Sequence, residues 1–486
     1  MIWSSRCCAR SGDLSAAYTY SLSQYNEGVL MTWLQKYRIR HYIHNSIVVL
    51  PVLGVVAALL TTWALHSMER KMGWVSTLSA ESTRTAIATL AAAMLTFIVF
   101  LSSTLLLAVQ LASGQLTPRV IPFVFRDPIT KFSLTVFAYT FTLSLAVLVR
   151  IQETVPVLTP RLAAWGCVAS LCAFFYLIDH VGKELRPSGV LKSIGATGRE
   201  VIERVYPRRL AESPETPREF IELLDKEPTF TIANPRSGVV LAFDAKGLVR
   251  LAEQADCLIE IVPQVGDFVA AEDPLFRVYQ GGRSLSADRV YQCLAVGQER
   301  THEQDPVLAF RIIVDIASKG LSPAINDPTT AVLAIDQIHH ILRKVGSRHL
   351  DEGVIRDNGG RVRLVYRTPD WDDFVHLAVT EIRQFGRSYI QIARRLRAML
   401  ENLIETLPEE RAALLRQELS LLQRTVEQYF LEPEDRALAA ASDFQGIGGT
   451  DEWSQERMDT LPGPIRAAQD TSPESANQKS RRTAER

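Results

Sequence analysis

Five hydrogen-bonding side chains crowd one short break in residues 309–338: Ser322, Asn326, Asp327, Thr329 and Thr330. Upstream, Phe310, Ile313, Val314 and Ala317 recur at helical spacing and predict a helix stopping at Gly320, a residue suited to a left-handed C-terminal position. Downstream, Asp327 and Pro328 read as the N-cap and first residue of a second helix that continues through Val332, Leu333 and Ile335. Capping accounts for Asp327 and Pro328. It does not account for the remaining polar groups, which point to a ligand, an ion, a subunit contact or a gating element. A bound anion would have to overcome the charge of Asp327.

A second set of polar groups carries no charge. Ser102, Ser103, Thr104, Gln110, Ser113 and Gln115 interrupt an apolar stretch with nothing ionisable between Arg84 and Arg119. Small hydroxyls let membrane helices pack closely and bond across an interface. Alternatively Ser102, Ser103, Gln110 and Ser113 line a water-filled path in an oligomer. Thr117-Pro118 then forces extended backbone, and Arg119 is expected at headgroup level as an interfacial anchor. Asp127-Pro128 repeats the N-cap pattern.

The elements that must position these residues are membrane helices. Ile47–Leu65, Phe132–Val149 and Leu162–Ile178 hold no charged residue, and a fourth window runs from about Ala86 to Leu111. Each is long enough for the ~30 Å hydrocarbon core, and the last is overlong, so it tilts or projects. Lys36, Arg38 and Arg40 before the first span, Arg119, Arg126 and Lys131 between the second and third, and Lys183, Arg186 and Lys192 after the fourth outweigh the basic residues opposite. That bias predicts a multi-pass inner-membrane protein with both termini cytoplasmic. No Asp, Glu, Lys or Arg lies mid-span, which argues against a proton pump or ion-coupled transporter. The net charge of −1 over 486 residues argues against a nucleic-acid partner. Six cysteines without paired spacing argue against disulfides or a zinc site.

The fold class expected is therefore four transmembrane α-helices followed by a cytoplasmic α+β region, with a small β-barrel or sandwich-like module and C-terminal helices. Residues 1–34 form a disordered extension or precede the true start near Met31. Residues 35–180 span the membrane, 181–228 make a helical linker, 229–295 the β module, 296–436 an α+β helical domain and 437–486 a disordered tail. Strands are predicted at 229–232, 237–244, 257–263 and 274–279, and at 361–366 beyond the module. Residues 371–405 and 408–430 read as two long amphipathic helices, with Arg394, Arg395 and Arg397 on a solvated face.

Pro118-Arg119, the turn Val265–Val269 and the run Leu321–Ala331 resemble motifs of a bacterial family of membrane proteins, domain of unknown function 2254. The resemblance extends over roughly residues 35–430. It implies four N-terminal spans and a shared soluble domain, and it carries no activity.

Val265-Gly-Asp-Phe-Val also has the shape of a biotinyl-carrier hairpin, but Lys246 lacks the surroundings of a modified lysine. The chain has no phosphate-binding or dinucleotide glycine loop, metalloprotease helix or nucleophile elbow. Thr301-His302-Glu303 has no nucleophile near it in sequence. Neither an enzyme nor a cofactor or metal is expected. The leading expectation is a homo-oligomeric, channel-like protein in the lipid bilayer, gated through 321–331. The alternative is a membrane-anchored sensor or scaffold.

Overall fold

A computed structural model describes residues 31–448 except 75, 77, 78, 152–154, 185, 211–226, 351 and 352. Residues 1–30 of the expected extension and 449–486 of the expected tail lie outside it. Thr32 and Gln35 form a capping box that starts helix α1 (Trp33–Asn45). Span one, α2 (Val49–Met72), follows. Span two, α3 (Ala80–Leu111), runs on without a stop through a wider turn at Ala112–Leu116. A tight turn (Pro118–Val120) and the short helix α4 (Ile121–Arg126) make an elbow. Asp127 then caps span three, α5 (Pro128–Arg150), and span four is α6 (Leu158–Glu184).

Span three packs against all three other spans and carries the buried hydroxyls Ser133, Thr140 and Ser144. Ser170 of span four donates to Thr140 Oγ1 at 3.3 Å. Close approach depends on two glycines. A Cβ on Gly54 would lie 2.9 Å from Thr135 Cγ2, and one on Gly166 would lie 3.0 Å from Thr140 Oγ1. Small-residue packing is thus centred on span three, not on span two. At the end remote from the soluble domain, buried Glu69 of span one accepts the backbone N–H groups of Leu158 and Thr159, starting span four.

The soluble part opens with α7 (Pro187–Val205). Strands β1 (Phe230–Ala233) and β2 (Gly238–Phe243) precede α8 (Ala245–Gln254), which contains Lys246. Then come β3 (Leu258–Ile261), β4 (Phe268–Val269), β5 (Pro274–Tyr279), α9 (Ala287–Tyr291) and β6 (Leu294–Gly297). The strands form two sheets, ordered β1-β5-β3-β8-β7 and β4-β2-β6. The first recruits β7 (Val354–Arg356) and β8 (Val362–Tyr366) from far downstream, with β8 parallel to β3. Ile259, Phe276, Val240, Leu294 and Leu364 share one core between the sheets. No closed barrel is present among the described residues, and the sheet is not confined to 229–295.

The helical core comprises α10 (Val307–Gly320), α11 (Pro328–Gly346), α12 (Trp371–Phe385), α13 (Ile390–Thr406), α14 (Glu409–Tyr429) and α15 (Pro433–Ala439). The helix expected over 371–405 is two helices, broken at Gly386. A Cβ there would lie 2.4 Å from Ile392 Cγ2, so only glycine admits the reversal. Arg394, Arg395 and Arg397 are not a solvated face. Arg394 is 2% exposed and donates to the carbonyls of Ala441 and Gly448, and Arg395 pairs with Asp336 at 2.6 Å. Residues 437–448 differ from the disordered tail expected there. Asp443 accepts the N–H groups of Gln445, Gly446 and Gly448 and folds the segment onto α13.

The elbow belongs to this core. Leu116 and Val120 are buried with Val190, Leu191, Ile313 and Phe310. Full burial of a Val or Leu contributes about 1.5–3 kcal/mol, so these two seat the soluble domain on the membrane bundle.

Candidate functional site at the membrane junction

Four Arg, Asp and Glu side chains join the elbow to the soluble helices. Arg119 pairs directly with Asp315 of α10. Arg311, one turn earlier, bonds Asp315 as well, with Nε 2.8 Å from Oδ1. Its two terminal nitrogens grip Glu381 of α12 at 2.5 and 2.7 Å. The Glu381 hydrogen bond leads the upward shift of Arg311, and the same contact holds Glu381 below the usual carboxylate range. Lys319, at the end of α10, donates to the Ser113 carbonyl at 2.8 Å.

The predicted site residues are now placed. Ser113 sits in the wider turn that ends span two, joined to α10 through its backbone. Ser102 and Ser103 donate to the carbonyls of Ile98 and Val99 in their own helix. Both, with Gln110, are exposed on the outside of the four-helix bundle. They line no path within one chain. Arg119, expected as a lipid anchor, is half exposed and gives its guanidinium to Asp315.

The 321–331 break is locally satisfied. Ser322 Oγ donates to Lys319 O at 2.6 Å, and Asp327 accepts Thr330 N–H at 3.1 Å as the N-cap. Gly320 is not the left-handed residue. Its missing Cβ instead lets the Asp327 carbonyl approach, and Asp327 N–H donates to Gly320 O at 2.7 Å. The left-handed position is Asn326, with φ +51°, a conformation Asn tolerates. Its side chain accepts from Tyr389 Oη at 3.0 Å, while Thr329 stands exposed.

Beside this junction lies a cavity of about 920 Å³, which the sequence did not reveal. Its walls come from α1, the elbow, the end of span four, α7 and the loop at 302–304. Asp127 accepts Ile129 and Thr130 N–H as a cap and lies 3.1 Å from His180 Nε2, tying spans three and four together on this side. Arg126 Nε donates to Asn45 Oδ1 at 2.6 Å. Burial pulls the Arg126 guanidinium below its ordinary value, with Glu303 and Tyr37 opposing. His41 lies 3.2 Å from Glu303. Burial raises Glu303, but His41, Arg126 and Arg40 outweigh it and leave the carboxyl lowered.

His302 and Glu303 of the Thr301-His302-Glu303 run line this cavity, with Gln304 beside them. Tyr37 Oη lies 3.4 Å from Thr301 Oγ1, and burial lifts its phenol to about 12. His302 packs edge-on against Phe123, and burial, helped by Arg126, pushes its imidazole down to about 3. It is therefore a neutral packing residue at pH 7. Among the described residues, no cluster of His, Cys, Asp or Glu has the makings of a metal site.

Comparison with known proteins finds relatives and a family for this chain. Uncharacterized proteins of Mycobacterium bovis and Mycobacterium tuberculosis are each 26% identical over 424 residues, covering 82% of this chain and 79% of the relative. No solved structure matches the chain. The family model described as predicted membrane protein (DUF2254) matches residues 44–402, most of the four-span bundle and soluble core, and the chain belongs to that family.

Proposed function

We propose that the protein is a membrane-anchored sensor that binds a ligand in the junction cavity and relays its presence to the soluble helical core. One observation carries the reading: membrane elements and soluble elements wall the cavity together, so an occupant touches both. From the elbow that forms one of its walls, Arg119, Asp315, Arg311 and Glu381 make a continuous ionic line to α12. The 321–331 break directly follows the helix that carries Asp315. Such a relay needs a bistable element, and the locally capped break is the one assigned here. The basic residues around α1, the elbow and α7 support a cytoplasmic reading of this face. The relay uses no catalytic step and no cofactor.

The test needs no knowledge of the ligand. Thr197 lines the cavity. In a background without other cysteines, Thr197→Cys is modified with a bulky anionic thiol reagent, in full-length protein in nanodiscs. Hydrogen exchange of residues 307–331 should change at least threefold on labelling. Unchanged exchange there would sink the sensor reading.

A second reading, homo-oligomeric permeation, is favoured by the outward face of span two. Ser102, Ser103 and Gln110 face away from their own bundle, so only neighbouring copies could enclose them. Protein-dependent ion flux in proteoliposomes, lost in Ser103→Leu/Gln110→Leu, would support it. Absence of flux from folded protein would remove it.

A further inference from the structure

Resting on that sensor reading, we propose that the cavity's occupant is an anionic amphiphile of the phospholipid class, its phosphate in the cavity and an acyl chain between spans two and four. The unbonded donors of Arg126 select the anion. The cavity's basic side chains are Lys36, Arg40, Arg126 and Arg204. Its acidic ones are Asp127, Glu184, Glu200 and Glu303. Three of the four acids are engaged: Glu200 by Arg204 at 2.6 Å, Glu303 by His41, and Asp127 by the start of span three and His180. Basic and acidic side chains are thus equal in number, with Glu303 facing Arg126 and Arg40 as well as His41. Arg126 is the sharpest case. It is half-buried, its Nε is held by Asn45, and its two terminal nitrogens take no hydrogen bond among the described residues. A guanidinium in that position, with two terminal nitrogens still to be bonded, is matched by a phosphate that accepts two parallel bonds.

Position selects the amphiphile. A narrow apolar pocket lined by Leu101, Leu105, Ala108, Val120, Val181 and Val190 lies between span two, the elbow, span four and α7. It shares Phe123, Asp127, His180, Glu184 and Ser193 with the polar cavity. The apolar pocket and the polar cavity are therefore neighbours, with these five residues lining both. A free phosphate would use only the polar half.

The experiment is binding by native mass spectrometry and thermal shift, on full-length protein in neutral detergent. The probes are dioleoyl phosphatidylglycerol, dioleoyl phosphatidylcholine and glycerol phosphate. The glycerol lipid should bind at least tenfold more tightly than either of the others. Arg126→Gln and Leu105→Trp should each weaken it at least tenfold, and Arg416→Gln, remote from the cavity, should not. If Leu105→Trp does not fold, Thr104→Phe narrows the same pocket and Arg40→Gln tests the head from an exposed site. Equal binding of the two lipids would overturn the anionic head. Glycerol phosphate binding as well as the lipid, or retained lipid binding with the apolar pocket filled, would overturn the amphiphile. Each of these leaves the sensor reading standing, because the Thr197 label tests that separately.

Discussion

Arg119 at the foot of span two and Asp315 in the middle of α10 form a direct ion pair that joins the membrane bundle to the soluble core. Asp315 is shared with Arg311, which also holds Glu381, so one carboxylate connects a span to two soluble helices. The pair does not provide most of the attachment. Arg119 is half exposed, and such pairs contribute about 0–1 kcal/mol. The buried Leu116 and Val120 contribute several times that. Apolar burial fixes the seat, and the ionic line sets the register.

The two contributions separate by mutation. Leu116→Ala should cost about 2–5 kcal/mol through the cavity it leaves. Asp315→Asn should cost about 1–2 kcal/mol, since it weakens charge-assisted bonds to two arginines, one of them largely solvated. Thermal unfolding in detergent ranks them. A larger loss for Asp315→Asn would mean that the charges hold the domains together.

Packing in the bundle is tightest where span three meets its neighbours. Gly54→Val and Gly166→Val place new atoms against Thr135 and Thr140 and should each cost about 1–3 kcal/mol by overpacking. Gly182→Ala, with open space around its Cβ position, should cost far less. Denaturation of the reconstituted protein distinguishes them, and equal tolerance at all three sites would contradict the packing.

Acid should loosen the junction through His302. Its folded value, about 3, lies below the ordinary 6.5, so between those values the unfolded chain binds the extra proton. Stability therefore falls as pH drops through that window, by about 2 kcal/mol at pH 5. Glu303, also lowered, contributes stability above its unfolded value that is lost in stronger acid as the carboxyl protonates. His302→Gln should flatten the slope of the unfolding midpoint between pH 6.5 and 4. An unchanged slope would place the titrating group elsewhere.

The segment after α15 is held by two side chains. Asp443→Ala frees the N–H groups of Gly446 and Gly448, and Arg394→Ala frees the carbonyls of Ala441 and Gly448. Either should cost about 1–3 kcal/mol and expose residues 440–448 to limited proteolysis. Cleavage at the wild-type rate would contradict the latch.

The four spans were legible because length and apolarity are local properties. The Asp127 and Asp327 caps were legible because a cap acts within three residues. Strands at 230–233, 238–243, 258–261 and 274–279 followed from alternation. Their partners did not: β3 pairs with β8 about a hundred residues later, and no local pattern encodes that. Arg394 was misread because a charged side chain on an amphipathic helix looks solvated until the chain that covers it is placed. The junction cavity was illegible for the same reason. Its residues, from Trp33 to Gln304, are scattered over some 270 positions and meet only when the bundle and the core dock. Asn326 offers a usable signal, since Asn is among the non-glycine residues enriched in the left-handed region.

The most direct test of the relay compares the Thr197→Cys label with and without Asp315→Asn. The predicted result is that labelling alters hydrogen exchange at 321–331 in the otherwise native chain, and that Asp315→Asn cuts this effect at least in half. An effect of equal size in both proteins would contradict transmission through the Arg119–Asp315 line.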